Sequence, residues 1–311
     1  MNRDTRIVFI NTGRSFFLPY VLHQAKQLNP SSAVVLIGDT GGEDDLIQFE
    51  QIENLASDDI DSFRANYVHR STNPEAFELF CWERWFYLRN FMRKEQADSV
   101  LYLDSDVLLY SSLEDIRRCY DGVDWECGLS VPPGGPASGH ISYWTREAIE
   151  DFCQFAAASF LEGCASQIYD QKWQQHLADG VPGGVCDMTT IELFYQSNRC
   201  RILNLAAPYR GNVFDHNINF GDNAEPGEYV VEGGIKKVSF KGGAPFLCRA
   251  ENGQMDRAHA LHFQGSAKRL IRNFYRGGSF RGKARYDMIF LFHSLRLRAR
   301  VLLDRFARPS V

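Results

Sequence analysis

The sequence predicts an α/β domain built on a mostly parallel, doubly wound sheet with helices on both faces. Three observations in the first 110 residues predict it. Short runs are apolar throughout rather than alternating, helical spacing separates them, and polar residues stand at the carboxyl end of each run. The material for a core is ample. Of 311 residues, 44% are hydrophobic and 13% aromatic, with 23% charged, which excludes a disordered chain.

Ile7-Val8-Phe9-Ile10 reads as a first strand, stopped by the Asn11-Thr12-Gly13 turn. Phe17, Val21, Leu22, Ala25 and Leu28 then recur at helical spacing, with Pro19 in the first turn, where a helix tolerates it. Ala33 to Ile37 is a second strand, closed by Gly38-Asp39-Thr40-Gly41-Gly42. Glu75 to Met92 reads as a long aromatic helix, and Val100-Leu101-Tyr102-Leu103 as a third strand. Sheets wound this way bind ligands at the carboxyl ends of their strands. Those ends are Asn11-Thr12, Gly38-Asp39 and Asp104-Ser105-Asp106.

The middle is less regular. Residues 131–139 read as a Pro- and Gly-rich loop, and 146–160 and 187–197 as helices. Residues 202–263 are Gly-rich with short β-like stretches such as Ile235 to Phe240. No internal repeat and no Pro- or Ser-rich linker interrupts the chain. The division is therefore one large domain over 1–268 and a tail over 269–311.

Charge separates the same two parts. From Lys268 to Val311 twelve Lys and Arg face two Asp, a net of +10. The whole chain carries −5, which leaves −15 on residues 1–267. The basic tail could face anionic lipid or nucleic acid, but the body repels polyanions and shows no nucleic-acid module, so no nucleic-acid partner is expected. No run approaches 18 apolar residues, and the six residues before Ile7 are too short for a signal peptide, so a cytoplasmic location is expected. The eight cysteines form no Cys-x-x-Cys pair, which argues against a zinc ribbon and for reduced, mostly buried thiols.

Two stretches carry chemistry. In Val100-Leu101-Tyr102-Leu103-Asp104-Ser105-Asp106-Val107-Leu108-Leu109 two carboxylates sit inside an apolar run. A hard divalent cation would pair them and could in turn hold a nucleotide diphosphate. The competing reading is a strand-end turn capped by Asp104. In Ala260-Leu261-His262-Phe263-Gln264-Gly265-Ser266-Ala267-Lys268 a strand delivers a histidine, a ligand that suits manganese better than calcium. Gly265 and Lys268 then suit a diphosphate, against the plainer reading of a surface turn opening a basic tail.

Taken together, Asp104-Ser105-Asp106 and His262-x-x-Gly265-x-x-Lys268 resemble the paired motifs of GT-A fold glycosyltransferases, in particular glycosyltransferase family 8. The resemblance covers roughly residues 5–110 and 185–268. It implies a GT-A type fold with a Rossmann-like, mostly parallel sheet. It also implies transfer of a hexose from a nucleotide sugar donor, a UDP sugar, to a saccharide or glycolipid acceptor, with retention of configuration. Asp104, Asp106 and His262 would bind Mn2+ (or Mg2+). Gly265 and Lys268 would meet the diphosphate, with Ser105 on the donor side, and Asn11 and Thr12 the base or ribose.

The sequence departs from the family in three places. The late motif continues Arg269-Leu270 rather than Pro-Trp. Where the family carries Asp-Gln-Asp, the Gln position falls on Asp187 when the Leu193-Phe194 pair is aligned, and on Met188 when the first Asp is. Asp187 then stands either as a catalytic carboxylate at the anomeric centre or as the N-cap of a helix from Met188. The acceptor-side Asn-x-Gly is replaced by Ala137-Ser138-Gly139-His140, where His140 either touches the acceptor or is structural.

Arg84, among the aromatics of Cys81-Trp82-Glu83-Arg84-Trp85-Phe86, either pairs a carboxylate or reaches the donor sugar, or snorkels from a core helix. Asp39 binds ribose or opens a turn. Asp215-His216-Asn217-Ile218-Asn219 is a polar loop that could read the acceptor.

In the tail, apolar residues 288, 291, 292, 295, 299, 302, 303 and 306 form one helical stripe flanked by Arg296, Arg298, Arg300 and Arg305. The stripe fits a helix on the inner face of an anionic membrane, or one docked on the acidic body. Two other functions fit less well. A nucleotidyltransferase needs more than Asn11-Thr12-Gly13-Arg14 after its first strand. A non-catalytic saccharide-binding protein has no need of the metal residues.

Overall fold

A strand buried on both faces is apolar through its middle, and Ile7-Val8-Phe9-Ile10 of β1 (Arg6–Asn11) shows this directly. In the computed structural model, which describes residues 1, 4–41, 45–161, 163–219 and 227–292, Ile7 and Phe9 enter one hydrophobic core. Val8 and Ile10 enter a second core on the opposite face. β2 (Val34–Gly38) and β4 (Ser99–Leu103) divide in the same way, Leu36 and Leu103 to one side, Ile37 and Tyr102 to the other.

These strands centre a seven-stranded sheet. It is completed by β3 (Gln48–Gln51), β6 (Cys127–Ser130), β7 (Ser138–Thr145) and β8 (Ile202–Asn204), in the order β3-β2-β1-β4-β7-β6-β8. β3, β2, β1 and β4 run parallel, and β7 runs antiparallel to both β4 and β6. The loop expected over 131–139 ends early, since Ser138 and Gly139 already belong to β7.

One face is covered by α2 (Asp58–Asn66), α3 (Glu75–Lys94), α5 (Arg146–Ala158) and α7 (Asp187–Ser197), whose Phe63, Trp82, Phe152 and Phe194 lie in one core. Between α5 and α7 the chain forms α6 (Cys164–Asp179). The other face is covered by α1 (Leu18–Leu28), by α4 (Leu113–Cys119) and by a second sheet. Ser112 caps α4 and Thr145 caps α5, each accepting the N–H three residues on.

That second sheet positions the site. β5 (Val107–Leu109) follows the two aspartates, leaves the large sheet and pairs antiparallel with β14 (Met255–His262), Val107 opposite His262. β14 is flanked by β9 (Asn212–Phe214) and by β13 (Ala244–Cys248), which pairs with β12 (Val238–Lys241). A ribbon of β10 (Val231–Glu232) and β11 (Ile235–Lys236) lies between them in sequence. The Gly-rich stretch is thus a sheet, and its longest strand ends beside the aspartates.

After β14 comes α8 (Ile271–Phe274), and Ile271, Tyr275, Phe280 and Phe290 join the core against α1. Tyr20 meets Tyr275, Phe280 and Phe290 edge to face at 5.2, 5.3 and 5.1 Å, and its hydroxyl donates to Asp287. In the helical stretch 283–292 the inward residue is Phe290. The predicted stripe members Met288, Leu291 and Phe292 are exposed. The rest of that stripe and its four arginines lie outside the described residues. Among the described residues no helix is long and apolar enough to cross a membrane.

Candidate functional site

Asp104 and Asp106 occupy the turn between β4 and β5, at the carboxyl end of the central sheet. Backbone bonds hold that turn on three sides. Asp104 N–H donates to the His140 carbonyl, Val107 N–H to the Asp104 carbonyl, and Phe263 N–H to the Asp106 carbonyl. The last ties the turn to the end of β14. Asp104, Asp106 and His262 each offer a ligand atom, and these atoms lie within 4.8 Å of one another.

The donor set is two carboxylates and an imidazole, which suits a divalent cation. Asp106 is buried, and its Oδ1 makes no hydrogen bond among the described residues. His262 Nε2 lies 3.4 Å from that oxygen, and Lys268 Nζ lies 3.1 Å from Oδ2. An orphaned carboxylate oxygen in a buried site is costly, and a cation there would satisfy it. The ligand residues therefore fit a metal.

Asp106 and His262 shift each other's charge, and a bound metal would have to displace a proton from His262. Burial alone would raise the Asp106 pKa, but the nearby charges of His262 and Lys268 outweigh it and bring it down to about 2. Burial likewise works against a charged His262, yet Asp106 wins and raises its pKa above the ordinary histidine value. His262 Nδ1 lies 2.6 Å from the His216 carbonyl and donates to it, so Nε2 is the nitrogen that faces Asp106.

Arg84 is the second organising residue. It leaves α3 between two carboxylates, donating to Asp104 Oδ1 at 2.8 Å and to Asp187 Oδ2 at 2.7 Å. Its guanidinium lies 4.8 Å from the centre of the Trp85 ring and 5.7 Å from that of Tyr102. Tyr102 donates its hydroxyl to the same Asp104 oxygen, and Trp85 Nε1 donates to the same Asp187 oxygen. A planar fork is suited to this double task, which a lysine could not perform.

Asp187 is not the N-cap that its position suggests. α7 starts at Asp187 itself, and Cys186 and Thr189 form the capping box. The carboxylate is turned to Arg84 and Trp85 instead. The Cys81 thiol, one turn before Arg84 on α3, is pushed well above its ordinary value by burial and by the carboxylates of Asp187, Glu78 and Asp104. It is a neutral spacer among charges, not a nucleophile.

The remaining residues fall in two groups. Asn11, Thr12 and Asp39 sit together at the ends of β1 and β2. Asp39 accepts Gly13 N–H at 2.7 Å, Asn11 Nδ2 donates to the Gly13 carbonyl at 2.9 Å, and Thr12 is exposed. Gly265, exposed with φ of 57°, opens the 3-10 turn Gly265–Leu270 that carries Lys268 to Asp106. That left-handed angle favours glycine. Ser105 is half-buried between the two aspartates.

His140 stacks on His262, ring centres 4.1 Å apart, and meets His216 edge-on at 4.8 Å. It is buried, and its Nδ1 shares a hydrogen bond with Ser138. Burial first, then His262 and His216, holds its pKa well below the usual range, so the ring is neutral. Its Nε2 has no partner among the described residues. Trp85 and Lys236 were not singled out from sequence. The run of aromatics around Arg84 was a signal for the first, whereas Lys236 looked like any polar residue of an alternating strand.

No protein-family model matches the chain, and no curated protein matches it. Solved structures similar to it include mouse xyloside xylosyltransferase 1 in its apo form, at 11% identity over 65% of this chain and 85% of that one, TM-score 0.46. A glycosyltransferase involved in glycosylation of the major capsid of PBCV-1 matches at 12% identity over 64% and 81%, TM-score 0.35. The PaToxG glycosyltransferase matches at 12% identity over 62% and 69%, TM-score 0.37. With TM-scores this low, the functional reading rests on the site's own geometry.

Proposed function

We propose that this chain is a metal-dependent glycosyltransferase. It moves a hexose from a nucleotide diphosphate sugar, a UDP sugar, to a hydroxyl of a saccharide or glycolipid. One observation carries the reading: Asp104, Asp106 and His262, brought from distant parts of the chain, converge at the carboxyl end of the sheet with Lys268 on the same carboxylate.

Asp104, Asp106 and His262 would hold Mn2+ (or Mg2+), which when bound supplies positive charge against a departing diphosphate. Lys268, part-exposed at the mouth, adds a mobile positive charge on the same side. Gly265 lets the backbone approach the diphosphate closely. Asn11, Thr12, Asp39 and Ser105 take the nucleoside side of the donor. Asp187, fixed in one orientation by Arg84 and Trp85, presents its carboxylate towards a cationic anomeric centre. Retention of configuration is the outcome the family 8 resemblance implies. His140, stacked on His262, stands on the acceptor side of the site.

The proposal includes a cytoplasmic membrane surface as a partner. Exposed Met288, Leu291 and Phe292 beside exposed Arg281 and Arg285 support it. Sedimentation with anionic phospholipid vesicles tests this part, and equal sedimentation with neutral vesicles overturns it.

The test of the whole is a donor screen that follows UDP or GDP release with manganese present. UDP release that rises with a saccharide acceptor supports transfer. Pyrophosphate release from a nucleoside triphosphate points instead to a nucleotidyltransferase. Saccharide binding without turnover of any donor points to a binding protein.

A further inference from the structure

We infer that the buried Asp215–Lys236 ion pair positions His262 for the metal, so that both residues tune the cation site without touching it. The inference rests on the metal reading above and deepens it.

His262 has four polar groups, and a single short stretch takes three of them. Asp215 Oδ2 accepts its backbone N–H at 3.2 Å. Ile218 N–H donates to its carbonyl at 3.0 Å. The His216 carbonyl accepts from its ring Nδ1 at 2.6 Å. Only Nε2 is left, and it faces Asp106. Residues 215–218 thus fix the backbone, the ring orientation and the tautomer of one side chain. A carbonyl on the far ring nitrogen is the usual partner of a metal-binding histidine and raises its basicity.

Asp215 and Lys236 anchor that stretch. Asp215 N–H donates to the Ala260 carbonyl, and Lys236 N–H donates to the Ile218 carbonyl. Lys236 Nζ meets Asp215 Oδ1 at 2.7 Å, and the two side chains are 4% and 0% exposed. Lys236 comes from β11, so the ion pair clamps the stretch between β14 and the ribbon. A buried ion pair is no better for stability than an apolar pair of equal volume. Here its geometry serves an imidazole two bonds away.

Three measurements test this. First, the Asp215→Asn/Lys236→Met double replacement removes both charges, avoiding the uncompensated charge that either single change leaves. It is expected to fold, with a Mn2+ dissociation constant raised about tenfold to a hundredfold, the usual effect of losing such support. Second, in a His262→Ala background the same double change should leave the residual Mn2+ affinity within a factor of about two, since the two effects then share one route. A folded double variant that binds Mn2+ like the parent overturns the inference, and so does an equal loss in the His262→Ala background.

Third, the unaltered protein loaded with Mg2+ should show His262 protonated at Nδ1 in its nitrogen-15 spectrum. Protonation at Nε2 overturns the inference even if no variant folds. A parent that binds no Mn2+ overturns the metal reading itself, which is a different result.

Discussion

Replacing Arg84 by Met should be among the most damaging single changes in the site, and its cost can be worked from contacts. The guanidinium is 13% exposed and bonds Asp104 and Asp187, whose side chains are 25% and 5% exposed. Without it, among the described residues Asp187 keeps the Trp85 N–H and Asp104 the Tyr102 hydroxyl. Breaking a buried pair by removing one partner costs about 3–5 kcal/mol. Water screens the Asp104 half, so the lower end applies, about 3 kcal/mol. Arg84→Lys offers one point charge where two bonds are needed. It should lose one charge-assisted bond, about 1.5–3 kcal/mol.

The assay is urea unfolding at pH 7. Adding Mn2+ should shrink the Arg84→Met deficit, because the cation takes over the stranded Asp104 charge. The Arg84→Met/Asp187→Asn double variant should be less destabilised than Arg84→Met alone. An Arg84→Met protein that unfolds within about 0.5 kcal/mol of the parent, the range of an inconsequential surface change, refutes the bridge.

Three further outcomes are expected. Gly139→Ala drives a Cβ into the buried Trp85 ring, an overpacking that should cost about 1–3 kcal/mol. An unchanged thermal midpoint contradicts the contact. His259, buried beside Ser111, has its pKa brought from 6.5 down to about 4 by burial first and Arg257 second. The unfolded chain therefore takes up a proton the fold refuses. That stability is present above pH 6.5 and is lost as pH falls towards 4, with a ceiling of about 3 kcal/mol. Urea unfolding at pH 7 and 4.5 should show a shallower fall for His259→Gln than for the parent, and equal falls exclude the assignment. Phe290→Ala, which empties a site against Phe16 and Tyr20, should cost about 3–5 kcal/mol. A normal unfolding curve for this variant contradicts docking of residues 283–292.

What could be read from sequence follows from how locally each signal is written. β1, β2 and β4 were legible because burial on both faces makes their central positions continuously apolar, with polar residues such as Asn11 and Ser99 at the strand ends. The aromatic helix α3 was legible because its side chains serve one deep core. β7 was not, since its buried Ser138, Ser142 and Trp144 satisfy their polar groups among themselves and neighbouring atoms, so a core strand reads as a polar one. β5 is three residues long and finds its partner some 150 positions away, which no local pattern encodes. At the site, carboxylates inside an apolar run were visible as a local contradiction. The turn of Asp187 away from capping was not, because Arg84 is 103 positions from it. In the described helical stretch 283–292 the residue that docks, Phe290, lies off the predicted stripe, whose Met288, Leu291 and Phe292 are exposed.

The most direct test of a shared cation is a calorimetric titration of Mn2+, with and without UDP, into the parent and into Asp106→Asn and His262→Ala. One ion held by both side chains predicts a single site in the parent, tightened by UDP and weakened at least tenfold by either change, roughly the cost of one lost ligand contact. Unaltered manganese and UDP binding in both variants contradicts it.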